Sequence, residues 1–339
     1  MLIEEYAYAR AGLLGNPSDG YFGKTIAISI KDFRAWVRLK ESSELRIVAQ
    51  DQDAEYRSME DMVEKISMHG YYGGVRLIKA VIKIFFEYCR ENDFRLGEKN
   101  FTVLYGSTIP RQLGLGGSSA IITAALRALM KFYQVDIPKN IQPSLILDAE
   151  REELGINAGF MDRVIQVYEG CVYMDLNREY IKAHGYGKYE SLEPKLLPRL
   201  FLAYKPALGK VSGQVLNNIQ IGFERGDSFV VNTLEKIADI AEIGKKILLE
   251  GDKEDLFEIM NENFDLRSRI MKISSSNQKM IKTARQCGAS AKFAGSGGAI
   301  LGMYKDKDMF SGLAAEFDKI QVKLIKPTIK KPVGSVSIS

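Results

Sequence analysis

Residues Leu113 to Ala120 read Leu-Gly-Leu-Gly-Gly-Ser-Ser-Ala, with three glycines in the four positions from Gly114 to Gly117. Ahead of them stands the β-rich run Phe101-Thr102-Val103-Leu104-Tyr105, and behind them the apolar run Ile121-Ile122-Thr123-Ala124-Ala125-Leu126 predicts a helix from Ser118 to Phe132. A strand, a tight glycine turn and a helix in that order leave unpaired amide N–H groups converging on the positive end of a helix dipole. Such a place suits an anion, and a polyphosphate above all. Many strand-to-helix turns need glycine for backbone reasons alone, so the stretch acquires a function only in company.

The rest of the composition narrows the classes. A chain of 339 residues is long enough for two domains. With 46% hydrophobic and 27% charged residues it is an ordinary globular protein, and a net charge of +4 spread along the chain gives nucleic acid little to bind. Cys89, Cys171 and Cys287 lie far apart and form no Cys-x-x-Cys pair, which argues against a disulfide framework or a zinc site and for a reducing, cytoplasmic setting. No apolar run approaches the about 20 residues of a membrane span, and Met1 to Glu5 lacks the basic start of a signal peptide. Only His69 and His184 are available for histidine chemistry.

In chain order, Tyr8 to Gly20 runs from an apolar piece into a turn-rich loop. Gly23-Lys24-Thr25 imitates the end of a phosphate-binding P-loop, but Ser18 stands where that motif requires glycine and no helix pattern follows. Thr25–Ile30, Arg34–Leu39 and Glu44–Val48 are expected as successive strands of an antiparallel sheet. Gly73 and Gly74 introduce a helix over Val75–Cys89, with Val75, Ile78, Ile82, Phe85 and Phe86 on one face. Pro143–Leu154 is a second charged helix. After Ile156 to Arg163 comes a strand over Cys171–Leu176. The polar stretch Asn177–Pro198 holds the expected boundary between domains 1–185 and 186–339. Beyond it, Leu200–Tyr204 is a strand, and Asn232–Glu250, Asp252–Met271 (capped by Asp252), Ser275–Cys287 and Met309–Ile320 are helices. Ala291–Gly302 places a second glycine loop between short strands, and Val322–Ile325 is a last strand.

Phosphoryl transfer needs a phosphate cradle, an oxygen-ligand site for magnesium and a charged group beside the acceptor hydroxyl. Glu150 with the Ser119 hydroxyl can supply the second, although the sequence alone favours reading Glu150 as one of several charges on a solvated helix face. Asp162, amid Phe160, Met161 and Val164, can supply the third or simply cap a turn.

With these residues in view, the chain resembles the GHMP kinase superfamily over nearly its whole length. Gly114, Leu115, Gly116, Gly117, Ser118, Ser119 and Ala120 match the superfamily's second motif, which binds ATP phosphates. Ala291–Gly302, with Gly295, Ser296, Gly297 and Gly298, is similar to the third, which supports that loop. Tyr8–Asp19 stands in place of the first, and Gly159-Phe160-Met161-Asp162 resembles the Gly-x-Met-Asp of galactokinase. The likeness implies Ser119 and Glu150 as Mg2+ ligands, Asp162 as the catalytic aspartate and Arg10 as the cation beside the acceptor oxygen or the aspartate. It implies an α+β protein with an N-terminal α/β domain of the ribosomal-protein S5 domain 2-like type and a C-terminal ferredoxin-like α+β domain.

Galactokinase has Gly-Glu-His where this chain has Gly15-Asn16-Pro17. Within the superfamily Gly12 to Thr25, Gly70 to Arg76 and Ile109 to Gln112 most closely resemble the glucuronokinases. The implied activity is ATP-dependent phosphorylation of D-glucuronate at its anomeric hydroxyl. An acidic sugar wants a cation, for which Lys24, Arg76, Arg163 and Lys210 stand in or beside the loops, Arg163 and Lys24 first. Asn16, Ser18 and Asp19 complete the expected substrate residues. A kinase for galactose, galacturonate or a heptose derivative, a non-catalytic binding protein of the same fold, and more distantly a dinucleotide-dependent oxidoreductase remain the alternatives.

Overall fold

Two long strands open the chain, β1 (Leu2–Leu14) and β2 (Lys24–Ser42). The computed structural model describes residues 1–49, 54–71, 75–206 and 213–331. The runs expected as two strands, Thr25–Ile30 and Arg34–Leu39, are halves of β2, because Lys31-Asp32-Phe33 offers no glycine or proline to turn the chain. From Thr25 to Ile30 every residue is buried, as in a strand covered on both faces; Ala35, Val37 and Leu39 are buried in alternation with more exposed neighbours, as in a strand covered on one.

Contacts divide the chain into two units: Met1–Ala9, Phe33–Ile109 and Gly117–Val167 form the first, and Arg10–Asp32, Pro110–Gly116 and the chain from Tyr168 onward form the second. In the first unit β3 (Leu45–Val48), β4 (Ala54–Tyr56), helices α1 (Met59–His69) and α2 (Arg76–Glu91), and β5 (Asn100–Ser107) precede α3 (Gly117–Tyr133), α4 (Gln142–Arg151) and α5 (Met161–Tyr168). β5 pairs antiparallel with β2, from Ala35 opposite Ser107 to Ser42 opposite Asn100. β3 was expected in an antiparallel run with the strand before it; it lies instead beside β5, parallel to it, and is flanked by β4. α2, α3 and α4 pack together. Phe101 meets Phe132 edge-on at 5.5 Å between centroids, and with Phe85 these rings are almost fully buried, each contributing about 1.5–3 kcal/mol. α1, capped by the Ser58 hydroxyl, and α5 answer to no expected element. Gly73 and Gly74, expected to introduce α2, lie outside the described residues.

In the second unit β6 (Cys171–Asp175) pairs antiparallel with the Lys24–Ile28 part of β2. The polar stretch after it, where the domain boundary is expected, folds as α6 (Arg178–His184) and β7 (Lys188–Leu192), the latter antiparallel to β6. Then follow β8 (Leu200–Tyr204), α7 (Gly213–Glu224), α8 (Ser228–Glu250), α9 (Asp255–Ile270), α10 (Ser275–Gln286), β9 (Ser290–Phe293), β10 (Ala299–Met303), α11 (Lys307–Lys319) and β11 (Lys323–Ile325). Asp252, expected to cap α9, accepts from the Glu254 amide at 3.0 Å just ahead of it. These last strands form an antiparallel sheet in the order β11-β8-β10-β9. Numbered as they occur, that is fourth, first, third, second, the split arrangement of a ferredoxin-like domain. Phe201, Leu234, Phe264, Met280, Phe293, Ile300 and Phe317 belong to its core.

Candidate active site

The boundary between units falls inside the first glycine loop, between Gly116 and Gly117, so the candidate residues form two groups.

The second unit holds the glycine turn, the end of β1 and the second glycine loop. Gly114 has φ +63°, and a Cβ there would lie 2.7 Å from the Ser296 nitrogen. A Cβ at Gly295 would in turn collide with the Gly114 carbonyl and with Arg10 Nη1. The two glycine loops are thus in backbone contact, as expected of a loop supporting its neighbour. Arg10 ties them together: its amide donates to Leu115 O at 3.1 Å, and its guanidinium donates to Gly114 O and, at 3.4 Å, to Ala294 O. Gly298 N donates to the Asn277 side chain at 3.2 Å, which anchors the second loop to α10.

The first-motif residues are held on the same frame. Gly12 N donates to Ala294 O at 2.7 Å, and Gly15 N to Asn263 Oδ1 at 2.8 Å, while Asn263 Nδ2 returns a bond to Asn16 O at 3.2 Å. The Lys292 ammonium donates to Gly12 O at 2.9 Å, to Phe293 O at 3.0 Å and to Asn16 Oδ1. Arg267 Nη1 donates to Gly295 O at 2.8 Å. Ser18 Oγ donates to Lys24 O at 2.8 Å and is buried, and Asp19 follows it half-buried. Burial, reinforced by the charges of Arg267 and Arg10, holds the Lys292 ammonium well below its usual range; Asp19 opposes that shift. Burial lowers Arg267 to about 10. Asn263, Arg267, Asn277 and Lys292 were not singled out from the sequence. Lys292 lies inside the quoted second glycine stretch, and Asn263 and Arg267 stand four apart, one turn along a single face of α9.

The first unit holds the start of α3, Glu150 on α4 and the start of α5. Ser118 Oγ donates to Glu150 Oε1 at 2.7 Å, which sets a further hydroxyl beside the expected pair of Glu150 and Ser119. Ser119 is itself fully buried, and its carbonyl accepts from Thr123 Oγ1 at 2.8 Å. Glu150, fully buried, is no solvated face charge: Arg163 Nη2 binds its other oxygen. Arg163 also donates to Gly159 O at 2.8 Å and stands 3.8 Å from the Asp162 carboxylate. Asp162 lies in the first turn of α5, where the helix dipole favours a carboxylate. A buried glutamate with an adjacent hydroxyl is the kind of hard-oxygen pair that Mg2+ takes while keeping its waters, and the donors fit such an ion.

Of the cations expected for an acidic sugar, Arg163 is engaged by Glu150 and Lys24 by Glu242, Arg76 is exposed, and Lys210 lies outside the described residues.

Residues 76–170 match the GHMP kinases N terminal domain and residues 245–319 the GHMP kinases C terminal domain. The chain is 44% identical over 308 residues to "Probable glucuronokinase 2" of Arabidopsis thaliana, covering 88% of this chain and 84% of that one. It is 42% identical to "Glucuronokinase 1" of the same plant, with the same coverage. Among solved structures, the mevalonate kinase of Methanococcus jannaschii superposes with a TM-score of 0.75 at 18% identity, covering 98% of both chains, which is a likeness of fold. With the glucuronokinases matched over most of both chains and both domain families found in order, the chain belongs to the GHMP kinase family.

Proposed function

We propose that the protein is an ATP-dependent sugar-acid kinase, a glucuronokinase, which phosphorylates the anomeric hydroxyl of D-glucuronate to give glucuronate 1-phosphate and ADP. The observation that carries this proposal is the likeness to the two plant glucuronokinases over 88% of the chain.

In this scheme the acceptor hydroxyl loses its proton, its oxygen forms a bond to the γ-phosphorus, and the bond from that phosphorus to the bridging oxygen breaks, so that ADP leaves with the electron pair. Gly114 to Ala120 bind the ATP phosphates through backbone N–H groups, and Gly295 to Gly298 hold that loop in shape. Asp162 takes the acceptor proton or stabilises the developing charge, and Arg10 stabilises the acceptor oxygen or the aspartate. Glu150 with Ser119, and the Ser118 hydroxyl seen beside it, would hold Mg2+, which when bound neutralises the β- and γ-phosphate charge. Asn16, Ser18 and Asp19 orient the sugar. Lys24 and Arg163 remain candidates for its carboxylate, each in competition with the glutamate it already binds.

We divide the chain into domains 1–185 and 186–339, a division supported by the two family matches falling on either side of it. No helix among the described residues is long and apolar enough to cross a membrane. We assign the protein to the reducing cytoplasm on the wide spacing of Cys89, Cys171 and Cys287 along the sequence.

ADP release with Mg2+-ATP is the direct test, run with glucuronate, glucose, galactose, galacturonate and a heptose phosphate as acceptors. Glucuronate is expected to give the highest kcat/KM and a sugar 1-phosphate by 31P NMR. Product from another sugar and none from glucuronate would replace this acceptor, and ATP binding without product from any sugar would favour a binding protein.

A further inference from the structure

The loop that carries Ser18 and Asp19 closes on itself, the amides of Tyr21 and Gly23 both donating to Ser18 O at 2.9 Å. On it Phe22 adopts φ +63°, a left-handed conformation that is costly for a bulky L-residue. Among the described residues the other non-glycine positions of this kind hold Asp, Gln or Glu, so Phe22 is the aromatic one. Burial does not offset the strain, because the side chain is 39% exposed. Anchorage of the loop falls to its neighbour Tyr21, whose ring meets that of Phe223 on α7 at 5.0 Å between centres.

What the Phe22 ring meets is the guanidinium of Arg178, 5.0 Å from its centre. Arg178 opens α6 and is delivered there by the sheet: β6 pairs with β2, Asp175 opposite Lys24, and Leu176 N donates to Gly23 O at 3.1 Å. It is exposed, and among the described residues it makes neither a hydrogen bond nor an ion pair. Contact with a ring face uses none of the five N–H donors of a guanidinium. Nor does α6 gain from a positive charge in its first turn, where a negative one is favoured. A strained backbone, an exposed ring and a cation without a counter-ion thus meet on one loop, and stability explains none of them. Strain of this kind collects where ligands are held.

We infer that Arg178, seated on Phe22, is a specificity-determining residue that binds the carboxylate of the acidic acceptor sugar. The assignment rests on the glucuronokinase proposal, in which Ser18 and Asp19 of the same loop orient that sugar. It takes the carboxylate from Lys24 and Arg163, already held by Glu242 and Glu150. Arginine suits the role because its planar fork bonds both oxygens of a carboxylate, and the ring beneath it restricts the side-chain freedom that binding would otherwise remove.

The test compares the wild type with Arg178→Gln, Arg178→Lys and Phe22→Gly on glucuronate and on glucuronamide, its uncharged amide. Loss of a charge-assisted hydrogen bond is expected to cost Arg178→Gln on the order of 10- to 100-fold in kcat/KM on glucuronate, mostly through KM, and at least about 10-fold less on the amide. Arg178→Lys, which keeps the charge, is expected to recover part of the loss. Phe22→Gly relieves the backbone and removes the platform, so it should melt no lower than the wild type while its KM for glucuronate rises. Without ATP, glucuronate should raise the melting temperature of the wild type and not that of Arg178→Gln. Unchanged kcat/KM on glucuronate in Arg178→Gln, or equal losses on acid and amide, would overturn the assignment and leave the kinase reaction standing. A Phe22→Gly protein that melts lower with KM unchanged would reduce the ring to a structural part. A wild type that makes no product from glucuronate, yet is stabilised by it through Arg178, would sink the kinase reaction and leave the carboxylate site standing.

Discussion

Gly114 faces the backbone of Ser296 so closely that a Cβ on it would come 2.7 Å from the serine nitrogen. The two glycine loops therefore share one packed backbone surface. Gly114→Ala combines a left-handed φ with that clash, and strain of this kind costs about 1–3 kcal/mol. We expect a lower melting temperature and a raised KM for ATP; wild-type values of both would refute the contact's importance.

Glu150 and Arg163 form a buried pair, with Ser118 on the other carboxylate oxygen. Glu150→Gln removes the buried carboxylate on Arg163 Nη2 and leaves the guanidinium only its looser 3.8 Å approach to Asp162 among the ion pairs described here, for which up to about 3–5 kcal/mol of lost stability is expected in urea unfolding. The same variant should need more Mg2+ for half-maximal rate. A stability change under about 1 kcal/mol would mean that Arg163 finds another partner.

Asp162→Asn keeps the shape of the α5 first turn and removes its charge. Turnover is expected to fall on the order of 100- to 10,000-fold while ATP affinity, followed by fluorescence titration, stays within a few-fold. Near-normal turnover would remove Asp162 from the mechanism.

Asp148, on α4, offers a pH signature. Burial, helped by the nearby Glu152 carboxylate, raises its carboxyl to about 6 from 3.8. The folded state therefore holds this proton more tightly than the unfolded chain. Its contribution to stability is complete below about pH 4 and lost as pH rises through 6. Asp148→Asn should accordingly melt higher than wild type at pH 8 and match it near pH 4. An equal difference at both pH values would rule the titration out.

The elements legible from sequence were those whose cause is local. The glycines around Gly114 and Gly297 announce turns, and the apolar spacing from Ile78 to Phe85 announces a helix. What escaped is set by distant partners or fine geometry. Arg267 reads as one charge on a polar helix, because its acceptor, the Gly295 carbonyl, lies in another element. That the Ser118 hydroxyl reaches Glu150 is a matter of helical rotation, since neighbouring residues point about 100° apart, a fine point that spacing along the sequence does not reveal. The continuity of β2 was hidden by Lys31 and Asp32, polar residues that stay extended on an exposed piece of strand. α5 was missed because eight residues leave little room for periodicity to show.

The strand order β11-β8-β10-β9 also carries a consequence for biosynthesis. β8 is made early and is flanked by β10 and β11, both made much later. On the ribosome its backbone donors and acceptors must wait for most of the C-terminal half to emerge before either edge is paired. Leu200–Tyr204, five buried residues in a row, is therefore the stretch on which a chaperone would act during that interval, and where a stalled or truncated chain would begin to aggregate.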